Sequence, residues 1–212
     1  MRVYNPNDLT IIAAKSNMAV DLFFRGSLAE AEHLHKYVYR ERHRILGPTH
    51  HETLKSKANL AMTLNERGQH SLAESMYCDT LTSFESTLGH THPDTLKTYT
   101  NLATALHDQG NYKEAVSVIT VALPVIQDTY GPAHEECLGA MEFHAILLHC
   151  LEMYAAALDV AAQVFKQRLI ASGYEHEDTQ RVLGHVRDLT EIVEEQRSLE
   201  GYVPLMIGAG VQ

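Results

Sequence analysis

Tryptophan is absent from this 212-residue chain, and proline and cysteine are rare, with six and three residues. Few prolines leave room for long uninterrupted helices. The cysteines, Cys78, Cys137 and Cys150, are odd in number, and no two have a C-x-x-C spacing. The sequence therefore predicts neither a disulfide framework nor a zinc knuckle, and we expect reduced thiols in a cytoplasmic protein.

Basic runs and long apolar runs are also missing. A net charge of -10 with neutral histidines disfavours non-specific binding to nucleic acid or to an anionic membrane surface. Residues 1–10 hold no apolar run of signal-peptide length, and no other stretch approaches a membrane span. The motifs of nucleotide-binding loops and of the common hydrolases are absent as well. We therefore predict no cofactor, no metal site, and no nucleic-acid or membrane partner.

What the chain does contain is an internal repeat of 42 residues. The same residue types return at this interval without an insertion: Gly26, Gly68 and Gly110; Gly47, Gly89, Gly131 and Gly173; Ala31, Ala73, Ala115 and Ala157; Ala19, Ala61, Ala103 and Ala145; Leu22, Leu64, Leu106 and Leu148; and Asn17, Asn59 and Asn101. So many coincidences indicate an array of similar structural units, each packed on its neighbours.

Each unit has the pattern of two helices. In the third repeat, apolar residues within 96–106 and again within 112–126 keep the three-and-four spacing of an amphipathic helix. Gly110 lies where the first helix must end, because glycine adopts the left-handed conformation that terminates helices. Pro93 suits the first turn of a helix, where its missing N–H costs nothing. The repeat is therefore predicted to be a helix-turn-helix unit.

Several motifs carry a family resemblance: Thr95-Leu96, Asn101-Leu102-Ala103, Gly110-Asn111-Tyr112, Glu114-Ala115 and the linker Leu88-Gly89-His90-Thr91-His92-Pro93. They resemble the tetratricopeptide repeats of the kinesin light chain type, over about residues 10–195. The resemblance weakens in the fourth repeat, where Phe143 replaces the recurrent Asn and Glu152 replaces the recurrent Gly. It implies an all-α, right-handed superhelical solenoid of helix-turn-helix repeats.

We expect a single domain, residues 1–200, of four to five repeats at about 10–50, 51–92, 93–134 and 135–176, closed by a capping helix at 177–198. Divergent terminal units are typical of solenoids, since one face of each meets water. The segment 201–212 is apolar, and Pro204 should prevent the helix from continuing. We expect this tail to dock on the last helix pair or in the groove of its own or another subunit; a frayed terminus is the alternative.

The family resemblance also implies a concave groove, lined by the first helix of each repeat, that binds extended peptides or partner helices. Asn17, Asn59 and Asn101 then form a ladder of amides along it, each able to donate to and accept from a peptide backbone. Lys55 and Lys97, also one period apart, would meet acidic groups. Met62 and Phe143 would complete the lining. Under the alternative interpretation, the amides cap or bridge helices and the lysines are simply solvated.

Histidine is frequent, with 14 residues. Four of them, His50, His92, His134 and His176, recur at the turn entering each repeat, where the family pattern also has His, and we expect them to be structural. We expect His33 and His35 to lie on the wetted outer face of their helix. The frequent use of histidine therefore reflects the repeat at these four positions at least.

A second set of histidines offers chemistry. His107, His149 and His185, with Asp188, are expected on the groove side and could act as an acid or base. Cys150 follows His149 directly, but neighbours on a helix point about 100° apart and do not converge on one ion. Metal-binding spacings such as H-E-x-x-H are absent.

We therefore predict a protein- or peptide-binding scaffold, more consistent with an adaptor than with an enzyme. Stand-alone repeat proteins of this kind occur in fungi, so the alternative is a small-molecule-binding protein or acid–base enzyme of fungal secondary metabolism that uses the groove histidines. A third alternative is self-association through the terminal repeats or the C-terminal tail. Fold alone does not decide among them.

Overall fold

The computed structural model describes the backbone of residues 6–208 and the side chains of residues 8–198, and the regular structure in this part of the chain is α-helical. Its helices are α1 (Pro6–Phe24), α2 (Leu28–Leu46), α3 (His51–Glu66), α4 (His70–Leu88), α5 (Pro93–Asp108), α6 (Tyr112–Tyr130), α7 (Glu135–Cys150), α8 (Tyr154–Ser172) and α9 (Glu177–Gly208). Helices α3, α5, α7 and α9 begin 42 residues apart, as do α2, α4, α6 and α8. The fold is an all-α solenoid of helical repeats, as predicted.

The turn inside each repeat depends on a residue with a left-handed backbone. Gly110 ends α5 with a φ of 79°, a conformation that glycine adopts without steric cost. In the fourth repeat Glu152 occupies the same position with a φ of 59°, and it is the non-glycine residue with positive φ in the described part of the chain. This backbone conformation is unfavourable for a residue with a Cβ. The fourth repeat therefore keeps the turn geometry but carries strain that the others lack.

The second to fifth repeats each begin with a histidine that caps the first helix. The Nδ1 atoms of His50, His92, His134 and His176 accept a hydrogen bond from the backbone N–H two residues later, at 3.1, 3.1, 3.2 and 3.3 Å. A side-chain acceptor at this position satisfies one of the N–H groups that a helix leaves unpaired at its start. The prediction that these histidines are structural is confirmed.

The chain divides into two compact units, residues 1–125 and 126–212. In the first, called unit 1, each helix from α1 to α4 packs on the next one, and the first helices of neighbouring repeats, α1 with α3 and α3 with α5, are also in contact. Tyr77 and Phe84 are fully buried large side chains of α4. Ala61 and Ala103 have no exposed surface, and their small side chains allow close approach of the paired helices.

In the second unit, called unit 2, α8 packs on both α7 and α9. Small and large apolar residues alternate in its core, which contains two clusters: Ala145, Leu148, Ala157, Ala161 and Leu189, and Leu138, Val164 and Val182. Arg168 is also buried there, with 3% of its surface exposed. Its guanidinium donates to Glu135 at 2.9 and 3.0 Å and lies 3.4 Å from Glu142.

The last helix is longer than predicted. It continues through Pro204 to Gly208, so the expectation of a capping helix that ends at 198 was wrong. Proline removes one backbone hydrogen bond and kinks a helix without always ending it, and Pro124 lies inside α6 in the same way. Although α9 has 32 residues, no helix in the described part of the chain is long and apolar enough to cross a membrane. The prediction that the segment 201–212 docks lies outside the described side chains.

His35 corrects a second expectation. It lies on α2 with 0% of its surface exposed, whereas His33 is exposed as predicted. Neither ring nitrogen of His35 has a hydrogen-bond partner among the described residues. Burial lowers its pKa from 6.5 to about 4, because an apolar environment disfavours the charged ring. One repeat later the same position is Tyr77, which is also buried, so the repeat assigns this position to the core.

Candidate functional site

The first helices of unit 1 enclose a groove. A cavity of about 260 Å³ is lined by Val20, Phe24, Lys55, Ala58, Asn59, Met62, Phe84, Asp94, Lys97, Thr98 and Asn101. Residues 55, 58, 59 and 62 share one face of α3, because residues three and four apart lie one above the other on a helix. The 42-residue period places the corresponding face of α5 beside it. Unit 1 therefore contains the groove face predicted from the sequence, with Lys55, Asn59, Met62, Lys97 and Asn101 together.

Two of the three ladder amides line this cavity. Among the described residues, the side chains of Asn59 and Asn101 make no hydrogen bond, so the alternative in which they bridge helices finds no support there. Their amide groups remain available to donate to and accept from a ligand. Asn17 is exposed on α1 but does not line the cavity.

The lysines of the groove are available as well. Neither Lys55 nor Lys97 forms an ion pair with any described residue, although both line the cavity. Lys57, two residues further along α3, differs in this respect, because its ammonium group lies 2.9 Å from the carboxylate of Asp79. The groove thus presents two unpaired positive charges in a chain of net charge -10.

Sequence reasoning missed three contributors to this cavity, Thr98, Phe84 and Asp94. Phe84 comes from a second helix, α4, and forms part of the floor. Asp94 lies in the first turn of α5 and brings a carboxylate to the same cavity. A signal for Asp94 existed, since acidic residues follow the capping histidine two positions later in each repeat, as Glu52, Asp94, Glu136 and Asp178. That pattern indicated capping, not a place in the groove.

In unit 2 the corresponding positions are used differently. Phe143, which replaces the ladder Asn, is half-buried on α7. Arg181 takes the position of Lys55 and Lys97, and its guanidinium donates to Glu142 and to Asp178. A ligand at these positions would have to compete with the protein's own carboxylates.

Two of the three groove histidines occupy one repeat position and make the same contact. The ring of His107 lies 5.5 Å from the ring of Tyr112, and the ring of His149 lies 5.5 Å from that of Tyr154. Each contact joins the end of a first helix to the start of the second helix of the same repeat. His107 Nδ1 also lies 3.0 Å from Asp108. The shared contact indicates a structural role at the turn.

His149 and His185 come together in unit 2. Nδ1 of His149 lies 3.2 Å from Nε2 of His185, and the rings stack at 5.5 Å with an interplanar angle of 16°. Burial lowers the pKa of His185, and the neighbouring His149 lowers it further, whereas Asp188 opposes the shift. A hydrogen bond between two imidazoles needs at least one neutral ring as acceptor. His149 and His185 are therefore in contact, and Asp188 is close enough to affect the pKa of His185.

Comparison with known proteins gives the chain its family. The tetratricopeptide repeat profile matches residues 10–86, and a second profile of the same repeat matches residues 95–136, together more than half of the chain. A search of curated proteins finds no match.

Solved structures agree in fold. The nearly identical TPR-like repeats of a kinesin light chain-like protein of Podosopora anserina superpose with a TM-score of 0.74 at 20% identity, covering 95% of this chain and 99% of that one. BtubC (BKLC) from P. vanneervenii gives a TM-score of 0.72 at 17% identity, covering 84% and 70%. A Rap protein complexed with competence and sporulation factor gives 0.60 at 14% identity, covering 97% and 58%. With its 42-residue helix pairs and both profile matches, this chain belongs to the tetratricopeptide repeat family.

Proposed function

We propose that this chain is a protein-interaction scaffold that binds an extended peptide segment in the groove of unit 1. The observation that carries the proposal is that Asn59 and Asn101 line one cavity with side chains that make no hydrogen bond to any described residue. A side-chain amide matches the donor and acceptor of a peptide unit, so a row of such amides binds the backbone whatever the side chains are.

The rest of the lining selects the side chains of the ligand. Lys55 and Lys97 favour acidic residues, through pairs whose strength falls as salt rises. Val20, Met62 and Phe24 supply apolar surface, and Phe24 is 78% exposed. Burial of such a side chain by a ligand would remove apolar area from water. The preferred ligand is therefore an acidic segment with at least one large apolar residue.

Proteins of this fold support the proposal by analogy. The Rap protein, which has the same type of fold, is in complex with competence and sporulation factor. We extend the proposed contact surface to Asn17, one period before Asn59 and exposed on α1. We also propose Phe143 as an apolar contact of unit 2.

The experiment is a binding screen with a synthetic peptide array in which net charge and apolar content vary independently. The best peptides are then titrated by fluorescence polarisation against the wild type and variants. Replacement of both Asn59 and Asn101 by Ala should weaken binding about 30-fold, since the loss of one hydrogen bond of about 1 kcal/mol at each position adds to about 2 kcal/mol. Asn111→Ala is the control, because Asn111 lies in the turn before α6, outside the cavity.

A second pair of variants tests charge selection. Lys55→Met together with Lys97→Met should lower affinity for acidic peptides about fivefold at low salt and less at high salt. Lys57→Met, which removes a lysine already paired with Asp79, should leave affinity unchanged. The proposal fails if no peptide on the array binds, or if the double Asn variant binds acidic peptides as tightly as the wild type.

Self-association through the first repeat has its own support. Met18 on α1 is 55% exposed, whereas Leu60 and Leu102, at the same position of the next two repeats, are 5% exposed. At this position the first repeat therefore exposes to solvent an apolar side chain that the next two repeats bury. We propose that a second copy covers this face. Sedimentation over a range of concentrations should show a dimer for the wild type and a monomer for Met18→Glu; a concentration-independent monomer would contradict this proposal.

A further inference from the structure

Three potential metal ligands from two repeats meet in unit 1. Nε2 of His51, the first residue of α3, lies 2.5 Å from the carboxylate of Asp94, in the first turn of α5. The ring of His92, the cap of α5, stands edge-on to the ring of His51 with centroids 5.6 Å apart. One nitrogen of each imidazole and one carboxylate oxygen all lie within 4.8 Å of one another.

This cluster depends on a departure from the repeat. The capping histidine recurs in the second to fifth repeats as His50, His92, His134 and His176. The next residue is His51 in the second repeat, Pro93 in the third, and Glu135 and Glu177 in the fourth and fifth. The second repeat alone therefore places an extra imidazole at the start of its first helix, opposite the cap of the following repeat. Helix capping is already provided by His50 and does not need His51.

We propose that His51, His92 and Asp94 form a binding site for a divalent transition-metal ion of the Zn²⁺ type. Imidazole nitrogen and carboxylate oxygen are ligands that this class of ion prefers. The bonds of about 2.0–2.2 Å in a tetrahedral site place ligand atoms about 3.3 Å apart. Oδ2 of Asp94 lies 2.5 Å from Nε2 of His51 and 4.0 Å from Nδ1 of His92, and these separations lie on either side of that value. Small side-chain movements therefore produce the required geometry.

The surroundings suit an ion with one open position. All three side chains are half-buried, so an ion can reach them from solvent. The ring of Phe84 lies 6.0 Å from that of His51 and forms an apolar wall on one side. Nδ1 of His92, the unprotonated nitrogen of the ring, accepts the N–H of Asp94 at 3.1 Å. An ion bound at Nδ1 takes the place of this hydrogen bond. Three protein ligands leave the fourth position of the ion to water.

The ordinary interpretation is that His51 and Asp94 simply form a hydrogen bond between repeats. His51→Pro removes the imidazole from the proposed metal site. It also creates at the start of α3 the His-Pro pair that is found at the start of α5. The backbone suits this change: His50 has φ -64° and ψ 136°, and His92, which precedes Pro93, has φ -68° and ψ 137°. His51→Gln is a second variant, which can still donate a hydrogen bond to Asp94. Exposed His33→Gln is the control.

The experiment titrates tag-free, full-length protein with Zn²⁺ by calorimetry and with Co²⁺ by visible absorption. We expect one ion per chain for the wild type and His33→Gln, with the intense Co²⁺ bands of a tetrahedral site. Both His51 variants should lose affinity roughly tenfold or more and keep the melting temperature of the metal-free protein.

Other outcomes would overturn the proposal. Binding by either His51 variant at wild-type affinity would mean that the ion lies elsewhere. If His185→Gln then lost Zn²⁺ binding, the ion would be assigned to the stacked pair His149 and His185. No binding by the wild type at millimolar Zn²⁺ would leave the hydrogen bond between repeats as the whole role of His51. The test does not depend on which peptide the groove binds.

Discussion

Unit 1 and unit 2 carry different chemistry at the same repeat positions. In unit 1, Lys97 on α5 has no ion-pair partner among the described residues and lines the groove cavity. In unit 2 the corresponding residue, Arg181, is held by Glu142. Ala58 and Thr100 occupy the position of Glu142 in unit 1, and neither is charged; Ala58 is the one that precedes Lys97 as Glu142 precedes Arg181.

The same contrast holds for the ladder position. Asn101 makes no side-chain hydrogen bond within the described chain, whereas His185, two repeats later, contacts His149 at 3.2 Å. A polar group satisfied by its own protein contributes to stability, whereas an unsatisfied one keeps its full capacity for a ligand. One repeat scaffold can therefore carry, at a single set of positions, either polar groups bonded within the protein or polar groups without an internal partner.

Removal of Glu142 should have the largest effect. Glu142→Ala copies the unit 1 residue into unit 2 and deprives both Arg168 and Arg181 of a carboxylate. Because Arg168 is 3% exposed, we expect a loss of about 3 kcal/mol in the free energy of unfolding, measured by urea denaturation. Exposed Glu136→Ala should cost almost nothing. A loss below about 1 kcal/mol for Glu142→Ala would show that unit 2 does not rely on this network.

Acidification should reveal how the buried His35 of unit 1 affects the free energy of unfolding. Its folded pKa of about 4 is below the ordinary 6.5, so the unfolded chain binds the proton first. The contribution of His35 to the free energy of unfolding is therefore fully present above pH 6.5. It is lost as the pH falls towards 4, by up to about 3 kcal/mol. His35→Ile should remove this component, since the same position is Ile119 in the third repeat.

The measurement is urea denaturation at pH 7 and pH 4.5, with exposed His33→Gln as the control on the same helix. The difference between wild type and His35→Ile cancels the contributions of all other titrating groups. Equal pH dependence of the two proteins would mean that His35 is not protected from protons in unit 1.

Ala58→Glu converts the groove of unit 1 to the arrangement of unit 2. The new carboxylate is placed relative to Lys97 as Glu142 is placed relative to Arg181, 39 residues earlier in the sequence. We expect affinity for acidic peptides to fall about fivefold, at most a small gain in stability, and weaker dependence of binding on salt. Ala58→Gln has the same size without the charge. If both variants bind alike, steric blockage and not Lys97 explains the change.

Glu152→Gly should have the smallest effect, and it restores in unit 2 the turn residue of unit 1. Relief of the left-handed strain should stabilise the protein by about 1 kcal/mol, partly offset by the greater freedom of glycine when unfolded. Gly110→Ala is the reciprocal variant, with a φ of 79° and no atom within 4 Å of an added Cβ. It should be destabilised by about 1 kcal/mol. Thermal melts of both variants check this, and shifts of the same sign would contradict it.

The sequence predicted the repeat, the helix end before Gly110, the helix start at Pro93 and a structural role for four recurrent histidines. It could do so because these features are local: Gly110 and Glu152 determine a turn, and His92 caps the helix that follows it directly. The groove itself was implied by the family resemblance, and alignment of the repeats then placed Lys55 and Asn59 in it. Local stereochemistry and a fixed period are enough for predictions of this kind.

What the sequence did not predict depends on contacts between distant residues or on local energies that tertiary packing overrides. His51 and Asp94 are 43 residues apart and meet only through the packing of α3 beside α5. His35 was misplaced because its polarity suggested water, although its alignment with Tyr77 and Ile119 already indicated the core. Pro204 was taken as a helix end, whereas α9 continues through it.

The histidine caps have a consequence for how unfolding of this chain can be followed. Each accepts a backbone N–H at Nδ1, so its ring must carry the hydrogen on Nε2. When a helix start frays, that constraint on the tautomer is lost. Repeat arrays open locally, since each unit is stabilised mainly by its neighbours. The ¹⁵N shifts of four imidazoles therefore report separately on four successive repeats, and their order of change with denaturant would reveal where opening begins.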